Sequence, residues 1–147
     1  MKTASDVYKR QVERGPLVYA LKMNEKWEKK AFESDKSDVY GKWYYEVTSD
    51  SPWNYALPAR SFSPDRIKDA FTVEKSDITT PYPWNVENAP IRIKTKAMRL
   101  NGWTQVRGSA GPVPYYTQQG KDFGDEETIE LIPYGCTTLR ITEFPVR

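Results

Sequence analysis

"PIRIKTKAMRL" (Pro90–Leu100) carries the clearest alternation in the sequence. Ile91, Ile93, Thr95 and Ala97 fall on one side of an extended chain, and Arg92, Lys94 and Lys96 on the other. Side chains of a strand alternate with a period of two, so this pattern predicts a β-strand with one buried and one wet face. A single wet face points to an antiparallel sheet, because parallel strands are covered on both sides. The basic row follows from that alternation and requires no phosphate ligand to explain it.

The same reading extends outward. In "GPLVYALKM" (Gly15–Met23), Leu17, Tyr19, Leu21 and Met23 alternate with Val18 and Ala20, and both faces are apolar. That predicts an interior strand. "GKWYYEVTSDSPWNYAL" (Gly41–Leu57) predicts a strand through Trp43–Thr48, a turn around Asp50–Pro52, and the start of another strand at Asn54. "AFTVEK" (Ala70–Lys75) reads as a short strand. "ETIELIPYGCTTLRITEFPV" (Glu127–Val146) predicts a strand through Ile129 and Leu131, a turn at Pro133–Gly135, and a return strand through Leu139 and Ile141. "NEKWEKKAFESDKSD" (Asn24–Asp38) lacks clean periodicity and reads as a charged loop in preference to a short helical turn, with Trp27 as a lid on the core edge. One helix is expected, over Ser63–Ala70, with Ser63 as its N-cap and Pro64 at its first position. Seven or eight short strands with at most one short helix define an all-β chain. The expected architecture is an antiparallel β-sandwich, jelly-roll-like in outline.

With 147 residues the chain is long enough for one domain. Hydrophobic residues are only 38%, but aromatics reach 14%, and each large ring buries much area. The 22 basic and 20 acidic residues leave a net charge of +2, which makes no electrostatic case for nucleic acid or an anionic membrane. No apolar run approaches the roughly 20 residues of a membrane-spanning helix.

The most restrictive count is zero histidines. It removes Ser-His and Cys-His nucleophile pairs and every metal site that uses imidazole. The single cysteine, Cys136, supplies neither a disulfide nor a thiolate cage, and reads as a small buried hydrophobe. Asp122, Asp125, Glu126 and Glu127 cluster, but without the spacing of a calcium loop. Glu46, Asp50 and Glu87 are carboxylates that an acid–base pair would need, about 5–9.5 Å apart, and nothing in the sequence pairs them. No catalytic residue, metal ligand or cofactor is therefore assigned to this chain. The candidate contact loop is Ser51–Tyr55. Trp53 can stack on a sugar ring, Asn54 can bond hydroxyls, and Tyr55 adds a second ring. The competing reading makes Trp53 and Tyr55 core or interface aromatics, since Pro-Trp-Asn recurs at Pro83–Asn85.

Four stretches, "ERGPLVYAL" (Glu13–Leu21), "YYEVTSDSPWNYAL" (Tyr44–Leu57), "RIKTKAMRLNGW" (Arg92–Trp103) and Glu127–Val146, together resemble the C-terminal region of glycoside hydrolase family 127. These are the β-L-arabinofuranosidase-like enzymes. The likeness runs from Val12 almost to Arg147. Arg14, Gly15 and Pro16 at one end and Tyr134, Gly135 and Cys136 at the other are its structural motifs. The resemblance implies a large N-terminal (α/α)6 barrel that holds the catalytic residues, followed by β-sandwich modules. It also implies a glutamate and a zinc-bound cysteine cluster in that barrel. None of these maps onto this chain, so residues 12–147 resemble the C-terminal sandwich of a truncated glycosidase. The implied partner is the missing barrel, and the implied substrate of the whole enzyme is a plant-derived, arabinose-containing glycan. Two roles follow: a module that packs on the barrel, or an autonomous carbohydrate-binding module using Trp27, Trp43, Trp53, Trp84 or Trp103.

Asp6–Gln11, "DVYKRQ", stands where the likeness begins. Its codons can be written GATGTGTATAAGAGACAG, which resembles the transposase mosaic end used to tag DNA for sequencing. Met1–Gln11 is accordingly expected to be a non-native, disordered leader, with native sequence from Val12. With strands upstream of Val12 missing, the edge of the Gly15–Met23 strand or its barrel-facing side would be bare, and the isolated chain is expected to be poorly soluble or self-associating.

Overall fold

A computed structural model describes residues 8–34 and 36–147. Its strands are β1 (Lys9–Gln11), β2 (Glu13–Arg14), β3 (Leu17–Leu21), β4 (Lys26–Ala31), β5 (Trp43–Thr48), β6 (Tyr55–Ala56), β7 (Thr72–Lys75), β8 (Ile91–Leu100), β9 (Gln105–Val106), β10 (Ser109–Ala110), β11 (Phe123–Pro133) and β12 (Glu143–Pro145). The helices α1 (Ser37–Tyr40) and α2 (Ile67–Ala70) are single turns. The fold is all-β and antiparallel, a sandwich whose main sheet curls like half a barrel. No helix among the described residues is long and apolar enough to cross a membrane.

The strand with the clearest alternation lies near the middle of the main sheet. β8 pairs β11 with Ile93 opposite Leu131 and Thr95 opposite Ile129. β11 pairs β3 on its far side, with Leu131 opposite Leu21. The other edge of β8 carries β7 and, further along, β6. One row of side chains, Leu21–Leu131–Ile93–Val73, thus crosses four strands. Ile91, Ile93, Thr95 and Ala97 are all buried, as the alternation requires.

A second layer covers that row. β1 and β12 form an antiparallel pair, and Val146 bridges to Leu57 in parallel. Phe144 of β12 is fully buried in a core with Tyr19, Leu21, Met23, Tyr55, Leu57 and Leu131. The opposite face of β3 and β11 is also covered, because Ile132 packs with Ala89 and Cys136. β3 is therefore interior, with β2 along its edge. The Gly15–Pro16 pair closes the β2–β3 hairpin, and Gly15 takes a φ of +57°, which a mirror-type two-residue turn requires at its first position.

Four expectations are corrected. Asn24–Asp38 is not a loop, since Lys26–Ala31 pairs six residues with β5. Lys26, Glu28 and Lys30 share one face of a two-stranded ribbon, and Lys29 interrupts the other between Trp27 and Ala31, so β4 alone shows no apolar period. The Ser63–Ala70 helix shrinks to Ile67–Ala70, preceded by a 3-10 turn at Ala59–Phe62, and α1 is an additional helical turn. Ser63 is extended, and its hydroxyl donates back to the Arg60 carbonyl at 3.0 Å instead of capping. The C-terminal hairpin does not form. A 3-10 turn at Tyr134–Cys136 redirects the chain after β11, held by the Thr137 hydroxyl donating to the Tyr134 carbonyl at 3.0 Å. Leu139 and Ile141 pack on the core without forming a strand, and the returning strand is β12 beside β1.

The disordered leader is the fourth correction, for its last residues. Lys9–Gln11 pairs with Glu143–Pro145, and the Lys9 ammonium reaches Glu143 at 2.7 Å. The Tyr8 ring lies 4.1 Å from that of Tyr115, and the Arg10 guanidinium 5.1 Å from Phe62. Residues 1–7 of the expected leader lie outside the described residues.

Candidate functional site: an aromatic ribbon face and the cleft beside it

The β4–β5 ribbon is amphipathic across its thickness. Pairing puts Trp27 opposite Val47, Lys29 opposite Tyr45 and Ala31 opposite Trp43. Alternation gives these six one face, and contacts agree: Trp27 meets Tyr45 edge-on at 5.8 Å, and the Lys29 ammonium lies 4.9 Å from the Trp43 ring. The reverse face is ionic. Lys30 pairs with Glu46 at 2.6 Å and Glu28 at 3.6 Å. Trp27, Trp43 and Tyr45 are 54%, 58% and 57% exposed, so the aromatic face is largely bare.

The ribbon is fixed at its base. The Asn24 side-chain oxygen accepts from the Ser49 hydroxyl at 2.6 Å, the Ser51 hydroxyl at 2.9 Å and the Asp50 backbone N–H at 3.1 Å. Lys26 donates to Asp50 at 2.5 Å. That bond, helped by the Asn24 amide, holds the Asp50 carboxyl below the usual carboxylate range.

Beside the ribbon lies an open cleft of about 900 Å³. Trp27 forms one wall, the Tyr82–Asn88 segment another, and Gly135–Thr138 contribute as well. Trp27 is anchored: its indole N–H donates to the Glu25 carboxylate at 3.3 Å. The other Glu25 oxygen accepts from the backbone N–H groups of Thr138 and Leu139. Trp84 stands on a segment organised by Asn85. The Asn85 oxygen accepts from the N–H groups of Glu87 at 3.1 Å and Asn88 at 2.8 Å, and its amide donates to the Tyr82 carbonyl at 3.2 Å.

The structural motifs meet around Trp84. Pro16, Tyr134 and Gly135 line a smaller hollow of about 430 Å³ with it, and Gly135 and Cys136 line the main cleft. Arg14 pairs with Leu17 in the adjoining hairpin. The Arg140 guanidinium stacks 4.0 Å from the Tyr134 ring. Cys136 is buried, and that burial pushes its thiol pKa up.

The expected sugar-contact loop turns inward. Asn54 is buried, and its amide donates to the carbonyls of Leu100 at 2.9 Å and Trp103 at 3.1 Å. Its oxygen accepts from Arg99 at 2.6 Å. Trp53 packs edge-on against Trp103 at 5.1 Å. Tyr55 is buried and its hydroxyl donates to Glu127. Burial, then that bond, pushes the Tyr55 phenol up to about 12. All three side chains are thus engaged within the domain.

The remaining carboxylates are dispersed. Asp122 accepts from Asn101 at 2.9 Å, and Glu126 pairs with Arg60. Glu46 and Asp50 are ion-paired on the ribbon, and Glu87 lies on the cleft wall. Among the described residues, no three potential metal ligands come together. Sequence reasoning missed the ribbon face. Its signal was present as two matched alternations, Trp27, Lys29, Ala31 and Trp43, Tyr45, Val47, visible only when aligned antiparallel.

Fold and site together define a class, an all-β antiparallel sandwich with a bare aromatic ribbon and an adjoining cleft. No family model, curated protein or solved structure matches the chain.

Proposed function

We propose that this chain is a non-catalytic β-sandwich module of a glycoside hydrolase of the β-L-arabinofuranosidase-like kind, packed on and supporting an (α/α)6 catalytic barrel. The observation that carries the reading is the ribbon. Its ionic face suits water, while Trp27, Trp43 and Tyr45 crowd the other face and stand more than half exposed. An isolated two-stranded ribbon is marginal in water, and contiguous exposed aromatics mark contact surfaces. Covering three such rings, at roughly 25 cal/mol per Å², contributes several kcal/mol to an interface. Of the motifs from Arg14 to Pro16 and from Tyr134 to Cys136, Gly15 shapes a hairpin turn and Cys136 is buried, while Arg14, Pro16 and Tyr134 stay exposed. The whole enzyme's arabinose-containing substrate belongs to the same proposal, as does zinc in the barrel.

The test is co-expression of this chain with the barrel encoded upstream of it in the parent gene, as separate polypeptides. The two should co-purify, and Trp43→Lys with Tyr45→Lys should abolish the association while leaving the circular-dichroism spectrum of the chain unchanged. A parent gene without an in-frame barrel, or a barrel that ignores this chain, contradicts the proposal.

A further inference from the structure

We infer that the cleft between Trp27 and Trp84 is a binding site for a short, neutral oligosaccharide. The inference rests on the cleft's own side chains; of the three ribbon rings Trp27 borders the cleft, and Trp43 and Tyr45 do not. Three exposed aromatics border the space: Trp27, Tyr82 and Trp84, the last 40% exposed. At about 900 Å³, the cleft lies at the upper end of the range for small-molecule sites.

Trp27 is held in advance, and the backbone that carries Trp84 is braced. Trp27 is tied through Glu25 to the backbone at Thr138 and Leu139, and Trp84 stands on the segment locked by Asn85. Side chains ordered before a ligand arrives lose little further entropy on binding, which favours a site over an accidental surface ring. Indole faces stack on the C–H faces of pyranose or furanose rings, and a polar rim completes recognition of the hydroxyls. Glu87, Asn88 and Arg140 provide polar groups along the lining.

The charge pattern selects neutral sugars. Lys22 is neutralised by Glu130 at 3.2 Å, and Glu25 is satisfied by backbone N–H groups. Glu87 and Arg140 then leave opposite charges on the wall, and neither has an ion-pair partner among the described residues. A site for uronates or sugar phosphates would show an excess of cations. Opposed single charges instead suit paired hydroxyls, which accept from a guanidinium and donate to a carboxylate.

Isothermal titration and heteronuclear NMR of the intact chain with xylo-, cello- and arabino-oligosaccharides test the site, with oligogalacturonate as the charged control. At least one neutral series should bind and shift the Trp27 and Trp84 indole resonances. Trp84→Ala should weaken binding about tenfold, and Trp84→Phe should restore part of it. Trp43→Lys, which disrupts barrel docking, should leave sugar binding intact, so the two proposals fail separately. Absence of heat with every neutral series, preference for oligogalacturonate, or binding indifferent to Trp84→Ala would each overturn the inference.

Discussion

The Asn54 side-chain amide donates to the Leu100 carbonyl at 2.9 Å, across a separation of 46 residues. With the bond to the Trp103 carbonyl and the one received from Arg99, it staples the start of β6 to the end of β8. Asn54→Ala would leave two carbonyls and a guanidinium N–H without that partner in a buried place. The expected loss is about 2–3 kcal/mol in urea unfolding, with an unchanged m-value. A loss within half a kcal/mol would mean that water replaces the amide, as at an open loop.

Removal of Met1–Gln11 separates two accounts of the N-terminal segment. A featureless leader would change stability by less than about 0.5 kcal/mol. Because Lys9–Gln11 pairs with Glu143–Pro145, and Tyr8 and Arg10 meet Tyr115 and Phe62, the structure predicts a loss of about 1–3 kcal/mol. Hydrogen exchange should localise it to β12, with Phe144 amide protection falling first.

Tyr55 gives the domain an alkaline dependence. Its folded pKa is about 12, above the ordinary phenol value of 10, so folding favours the protonated form. That contribution is complete below pH 10 and is lost as the pH rises from 10 towards 12. Stability of the native chain should fall over this window more steeply than that of Tyr55→Phe. Phenolate absorbance should show one tyrosine fewer titrating late in the variant.

Legibility in the sequence followed the kind of force at work. β3 and β8 were readable because burial on a sheet imposes a two-residue period, and both lie in the interior. β4 was unreadable by that rule, since the ribbon face is exposed on both sides and its pattern becomes visible only through β5. The C-terminal hairpin failed because local turn chemistry at Pro133–Gly135 does not determine which strand the chain rejoins. β12 instead takes β1 as its partner, from the opposite end of the sequence. The burial of Cys136 was legible from residue type, whereas the inward direction of Asn54 was not. A polar Pro-Trp-Asn turn looks the same whether its amide faces solvent or two backbone carbonyls.

On the proposed function, the ribbon's aromatic face is an interface for a catalytic barrel and is uncovered in the chain alone. Oxidative footprinting of Trp43 and Tyr45, read by mass spectrometry in the isolated chain and in the barrel-linked enzyme, measures it most directly. Trp43 and Tyr45 should label rapidly in the chain alone and be protected several-fold when linked to the proposed barrel, with Tyr44 on the ionic face little changed. Equal labelling of Trp43 and Tyr45 in both states would contradict it.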